Sequence, residues 1–380
     1  MPTPRPAALA ACLALHAAAC APKPPAPPPP RAETRPEPRP EPAIAYRGVN
    51  LAGAEFGADR WGGGRLPGVH GVDYVYPDPA YAAGYDSATY YLGKGANAFR
   101  VAFRWERLQP ARRAGLDAAE LARLERTVGR LTAQGALVIL NLHNFGRYRG
   151  APVGSAEVPD ADLADVWARL ALAFKADPKV AFGLMNEPHD MPTEQWVSAA
   201  NAAIAAIRGA GAENLILVPG NDYSGAHSWH KSSYGTPNAV AMLQIVDPLD
   251  RYAVEVHQYL DADFSGTSAE CVGPTVGSES VRGFTAWLRA HRKKGFVAEI
   301  GAGPGPTCLR ALGDLLEHLE QNADVYLGWA YWAGGPWWGD YFMSLEPAGA
   351  ADKPQMTALE PHFAPGRRAR ARRDARAPSP

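Results

Sequence analysis

Residues 43–366 read as a single α/β domain, a (β/α)8 TIM barrel, on three features: eight short β-rich runs recur, helical patterns fall between them, and polar residues crowd the ends of the runs. A doubly wound open sheet is the rival architecture for such alternation. It is disfavoured because no Gly-rich phosphate fingerprint follows the first run.

Two segments that cannot build a core precede the body. Residues 1–19 carry Arg5 and then an Ala/Leu stretch from Ala7 to Ala19. That stretch is too short to span a bilayer and reads as a signal peptide, so export is expected. It ends Leu15-His16-Ala17-Ala18-Ala19-Cys20, which resembles a loose bacterial lipobox, in which small residues precede a cysteine that is lipidated and becomes the new N-terminus. His16, and Ala17 where leucine is usual, depart from that pattern. Cleavage beside Ala19 with Cys20 incidental is the alternative, and it gives a secreted protein. Acyl groups on Cys20 would tether the domain to a membrane, each buried methylene contributing about 0.8 kcal/mol. Ala21 after the cysteine, in place of an acidic residue, suggests the outer membrane, facing the periplasm or the exterior. Residues 22–42 are dominated by proline, including Pro27 to Pro30, and complete a 20–42 linker. They make a stiff spacer, on the order of 65 Å long if extended at about 3.1 Å per residue.

The runs of the body begin with Tyr46 to Leu51, Ala98 to Phe103, Leu137 to His143 and Val180 to Met185. Leu215 to Val218, Tyr252 to His257, Phe296 to Ile300 and Val325 to Ala330 complete the eight. Between them, Ala118 to Ala133 repeats Leu121, Leu124, Val128 and Leu131 at helical spacing, and Asp162 to Lys175 and the Ala-rich Thr193 to Gly209 have the same character. Eight such units in this length leave room for long loops, among them a Gly- and Tyr-rich stretch from Trp61 to Tyr85.

Beyond the body, residues 367–380 set six arginines against one aspartate and read as a disordered basic tail. The net charge of −1 conceals this distribution: residues 43–366 hold 27 basic against 35 acidic groups. A mildly acidic, tryptophan-rich body argues against nucleic acid as a partner. Cys12 and Cys20 belong to the leader, which leaves Cys271 and Cys308 in the domain. Two cysteines in an exported protein suggest one disulfide, the alternative being a pair of unrelated buried thiols. Both lie in Gly/Pro/Thr-rich loop sequence.

In a barrel the C-terminal strand ends share one face, and here they carry Arg100, His143, Asn186 with Glu187, His257 with Tyr259, Glu299, and Trp332. Singly, each has a dull explanation: a lone histidine is more often a satisfied core residue, and a lone arginine an ion-pair partner. Together they describe a reactive mouth. Val180 to Pro188 drives an apolar run into Asn186-Glu187 and stops it with proline, and Gly295 to Gly301 delivers Glu299 in the same way. Paired carboxylates are the means of glycoside hydrolysis.

The ordered series Arg47 to Gly57, Phe99-Arg100-Val101, Leu142-His143-Asn144, Met185 to Asp190, Pro219 to Asp222, Val256 to Asp261, Ala298 to Gly301 and Tyr331 to Trp338 resembles glycoside hydrolase family 5, in its fungal and bacterial endoglucanase branch. The resemblance covers nearly the whole body. It implies a retaining endo-β-1,4-glucanase in which Glu187 is the acid/base and Glu299 the nucleophile. Arg100 is expected to keep Glu299 ionised, Tyr259 to donate to it, Asn186 to bond the sugar 2-hydroxyl, and His143 and His257 to orient sugar or glutamate. Trp332 would floor the subsite of the sugar to be cleaved; Trp229 and Trp338 are candidates for further platforms, the alternative for each being a core position, where a tryptophan more often lies. The resemblance also implies a Cys271–Cys308 bridge between the loops after the sixth and seventh strands. The expected partner is a β-glucan. No metal or other cofactor is expected, and a monomer is. Mannan, xyloglucan or mixed-linkage glucan is the alternative substrate, an inert glycan-binding surface lipoprotein the alternative from another class. A metal-dependent hydrolase is disfavoured, because His143 and His257 come from distant strands without tight ligand spacing.

Overall fold

Eight parallel runs, most of them rich in β-branched and aromatic residues, pair edge to edge until the sheet closes on itself. The computed structural model describes residues 43–59, 63–349 and 351–364. The signal peptide over 1–19, the linker over 20–42 with Cys20, and the basic tail over 367–380 lie outside the described residues. The barrel strands are β1 (Tyr46–Ala54), β2 (Ala98–Phe103), β3 (Leu137–Leu142), β4 (Val180–Gly183), β5 (Ile216–Pro219), β6 (Tyr252–Tyr259), β7 (Gly295–Gly301) and β8 (Tyr326–Gly334). Each pairs in parallel with its sequence neighbours, and β1 closes the ring against β8.

A helix follows every strand. Ala118–Thr132 starts where the Asp117 carboxylate accepts the N–H groups of Ala119 and Glu120, at 3.0 and 2.9 Å, a cap worth about 1 kcal/mol. Its Leu124, Val128 and Leu131 bury against Val138 and Leu140 of the sheet's outer face. The helix expected from Asp162 starts at Asp160, because Pro159 supplies the fixed φ of its N-cap position. The fifth connection shrinks to one α-turn, Asn238–Ala241, between two 3-10 turns, Asp222–Ser224 and Met242–Gln244. A small antiparallel ladder after β3, pairing Arg147–Tyr148 with Ala151–Pro152, has no counterpart in the sequence pattern.

Inside the barrel, alternation of side chains builds layers. The lower layers are apolar: Ala98, Ile139, Ala181, Leu217, Ala253, Phe296, Ala298 and Ala330 form one buried cluster. Two residues further along several of these strands, the same face turns polar, with Arg100, Asn141 and Glu255 fully buried. Gly183 occupies that level on β4. A Cβ there would lie 3.0 Å from the Leu140 carbonyl oxygen and 3.5 Å from Glu255 Oε2, so glycine leaves the room that the charged layer fills.

Two irregularities re-aim the strand ends. Against both neighbours β7 gains one residue between Val297 and Ile300: Val256 and His257 of β6 face Val297 and Glu299, and Trp329 and Tyr331 of β8 face Val297 and Ile300. Such a bulge lets Ala298 and the adjacent Glu299 both reach the interior, which strict alternation forbids. A second shift, where Val49 and Leu51 of β1 face Tyr331 and Gly334, does the same on β8 beside Trp332. The Trp332–Ala333 peptide is cis.

Candidate active site

Arg100 is the hub. Its side chain is fully buried, and one terminal nitrogen donates to Glu299 Oε1 at 2.7 Å and to Asn50 Oδ1 at 2.9 Å. The other terminal nitrogen donates to Glu255 Oε1 and to Asn186 Oδ1, both at 2.8 Å. Four partners from four strands or strand ends therefore converge on one planar fork, a geometry lysine cannot supply.

His257 couples the carboxylates. Its Nδ1 lies 2.7 Å from Glu187 Oε1 and 3.4 Å from Glu299 Oε2, and its Nε2 is 3.3 Å from Glu255 Oε1. Burial alone pulls this imidazole down, but the charge of Glu299 and the bonds to Glu187 and Glu255 outweigh it and push the group up to about 9. Burial works the other way on Glu255, yet the Arg100 charge and the His257 bond hold that carboxyl below its ordinary value.

Glu299 accepts the Tyr259 hydroxyl at 2.6 Å on the oxygen that Arg100 leaves free. Tyr259 stays protonated, because burial first and the Glu299 charge second raise it well above 10. Arg100 acts on Glu299 in the expected direction, favouring the charged form, but it does not decide the net shift. Desolvation outweighs the charges of His257 and Arg100, Glu187 adds to it, and the Glu299 carboxyl ends above its ordinary value. Glu187 follows β4 in a left-handed backbone (φ 42), which costs a non-glycine residue on the order of 1 kcal/mol. One oxygen of Glu187 and one of Glu299 lie within 4.8 Å of each other, with a His257 nitrogen within the same distance of both. Among the described residues these three could also hold a cation, but it would have to displace the His257 proton.

His143 is buried and neutral, drawn well below 6.5 first by desolvation and then by Arg104 and Arg100. Asn141 contacts its Nδ1 at 2.8 Å, and its ring stacks on Trp332 at 5.5 Å. Trp332 is partly exposed beside the glutamates, and Trp338 backs it edge-on at 5.8 Å. Trp229 is not a platform: it is 0% exposed and packs edge-on against Phe284 and Trp287, inside the core. Cys271 and Cys308 are bonded, their Cα atoms 5.2 Å apart, and the bridge joins the loop after β6 to the first turn of helix Pro306–Gln321.

Glu255, Asn50 and Asn141 were missed by sequence reasoning, although each left a trace. All three are polar residues inside apolar strands, and Glu255 stands two positions before His257, on the same face one layer down. A cavity of about 320 Å³ opens beside Glu187 and His257, walled by Tyr223, His227 and Phe264. There Tyr223 stacks on His189 at 4.2 Å and Phe264 on His227 at 4.3 Å, pairs that come from separate loops and have no local sequence pattern.

A (β/α)8 barrel that opens on two glutamates coupled through a buried arginine and histidine, with a tryptophan face beside them, defines a glycoside hydrolase. The family model described as "Cellulase (glycosyl hydrolase family 5)" matches residues 71–335. The chain belongs to glycosyl hydrolase family 5. Endo-β-1,4-glucanase A of Emericella nidulans is 40% identical over 324 residues, 84% of this chain and 93% of that one. Endo-β-1,4-glucanase B of Aspergillus niger is 39% identical over 318 residues, 83% and 89% of the two chains. Among solved structures, the endo-β-1,4-glucanase Xac0029 of Xanthomonas axonopodis pv. citri has a TM-score of 0.79 and 48% identity, covering 84% of this chain and 98% of its own. XacCel5A in complex with cellopentaose has a TM-score of 0.79 and 44% identity, covering 84% and 99%.

Proposed function

We propose that the protein is a retaining endo-β-1,4-glucanase acting on cellulose or a related β-glucan. The observation that carries this reading is the spacing of the glutamates. Retaining enzymes need carboxyl groups about 5–5.5 Å apart, inverting ones about 6.5–9.5 Å to admit a water, and oxygens of Glu187 and Glu299 lie within 4.8 Å. Glu299, fixed by Arg100 and Tyr259, attacks the anomeric carbon as the bond to the leaving oxygen breaks. Glu187 gives that oxygen its proton. Water, deprotonated by Glu187, then displaces Glu299 and restores the original configuration.

Trp332 offers a flat face to the sugar being cleaved, and Asn186, held by Arg100, stands where a sugar hydroxyl meets the acid/base. The relatives named endo-β-1,4-glucanases and the cellopentaose-bound neighbour support the β-1,4-glucan assignment. Proton NMR of the first products should show the β-anomer, and release of the α-anomer would refute the mechanism. Rates on carboxymethylcellulose against mannan test the substrate, and a large preference for mannan would overturn it. From the sequence alone we further propose that Cys20 is lipidated and tethers a monomeric enzyme to the outer membrane. Cys20→Ala should then release soluble enzyme, and unchanged membrane association would refute the tether.

A further inference from the structure

Arg104 follows β2 directly and occupies the N-cap position of the turn Trp105–Leu108. It is 3% exposed, and desolvation draws its guanidinium down to about 10. A cation in such a place needs several partners. Three donations end on backbone carbonyl oxygens of the segment after β1: Glu55 at 3.2 Å, Ala58 at 3.0 Å and Asp59 at 3.2 Å. The guanidinium also lies 5.5 Å from the ring centroid of Phe145.

From Phe145 the rings continue without a gap. Phe145 meets His143 edge-on at 5.1 Å, His143 stacks on Trp332 at 5.5 Å, Trp332 meets Trp338 at 5.8 Å, and Trp338 meets Phe56 at 4.9 Å. Phe56 adjoins Glu55, whose carbonyl Arg104 holds. The contacts thus form a closed circuit through the segments after β1, β2 and β3 and the end of β8, and Arg104 ties its two ends. Phe145 takes a left-handed backbone (φ 54), unfavourable for a bulky residue, so its ring is held in place at a cost in backbone strain.

We propose that Arg104 is a positioning residue for the Trp332 platform: by fixing the segment after β1 and the Phe145 ring at once, it sets the plane of the tryptophan on which a sugar lies. The proposal rests on the reading of Trp332 as that platform. Only a planar fork reaches three carbonyls and a ring together, so lysine restores the effect in part.

Arg104→Met keeps the apolar stem and removes the fork. Near-UV circular dichroism, which needs no substrate, should lose tryptophan-band intensity while the far-UV spectrum is retained. On cello-oligosaccharides kcat/KM should fall about tenfold, mostly through KM, since sub-ångström misplacement of a bound sugar is costly. In a Trp332→Phe background the same change should cost less than about twofold, because the ring whose plane it set is gone. Phe145→Leu leaves the carbonyl bonds intact and should give the same pattern, and it decides the matter if Arg104→Met does not fold. Equal losses in both backgrounds, or an unchanged near-UV spectrum, would overturn the proposal. Failure of the enzymatic reading looks different: the wild type itself would be inactive on β-glucans, and the near-UV comparison alone would then decide the positioning role.

Discussion

Raising the pH through 9 should remove a measurable part of the protein's stability, through one side chain. His257 titrates near 6.5 when free of partners and is pushed up to about 9 in the folded barrel. A folded-state value above the unfolded one means that the native state holds the proton more tightly. The contribution is therefore complete below about pH 6.5, declines by about 1.4 kcal/mol per pH unit between the two values, and is gone above about 9. The separation corresponds to about 3 kcal/mol. Solvent screening calls for little discount, since the side chain is 3% exposed. The assay is urea unfolding between pH 6 and 10, comparing the wild type with His257→Asn, together with the imidazole ¹H–¹³C NMR titration. The difference between the two stability curves should narrow by about 3 kcal/mol over that range. Parallel curves, or an imidazole that titrates below pH 7.5, would refute the reasoning.

Glu255→Gln removes one of the groups that raise His257, so the imidazole midpoint should fall below 9. It also breaks the buried pair with Arg100, at a cost of about 3 kcal/mol in urea unfolding; an unchanged midpoint would show that Glu255 is not a partner in the titration. Glu299→Gln should abolish turnover while calorimetry still detects cello-oligosaccharide binding, and near wild-type rates would sink the nucleophile assignment. Replacing Cys271 and Cys308 with serine should lower stability by about 3–4 kcal/mol, from the chain-entropy estimate for a loop of this length. A loss below about 1 kcal/mol would mean that other contacts already pin the two segments.

Each of the eight runs expected from sequence overlaps an observed strand, because alternation and β-branched content act within a few residues. The ends were less legible. The run expected to end at His143 stops at Leu142, and the β8 run expected to end at Ala330 continues to Gly334, carrying Trp332 into the ladder. Trp229 stays open between platform and core in the sequence for a different reason: an indole has the same sequence appearance in both, and only packing against Phe284 and Trp287 distinguishes them. Glu255 was overlooked because an isolated acid in a strand looks like an exposed position until the partner strands supply Arg100.

The bulge on β7 lay furthest from sequence reasoning, and it bears most on the chemistry. Strict period-two alternation would turn Glu299 away from the interior face that Ala298 shares, yet Glu299 has to meet Arg100 there. One residue inserted relative to β6 and β8 removes the conflict. The register that creates the insertion is a property of three strands at once, so no window on β7 alone contains it. The charged layer beneath explains why the arrangement holds. Arg100 is bonded simultaneously to Glu299, Glu255, Asn50 and Asn186, so moving any one strand end breaks a bond to a buried cation. Leaving such a charge uncompensated costs several kcal/mol. Glu299 is therefore held in place by a buried layer whose desolvation also raises its carboxyl, and loosening the layer to relieve the second would lose the first.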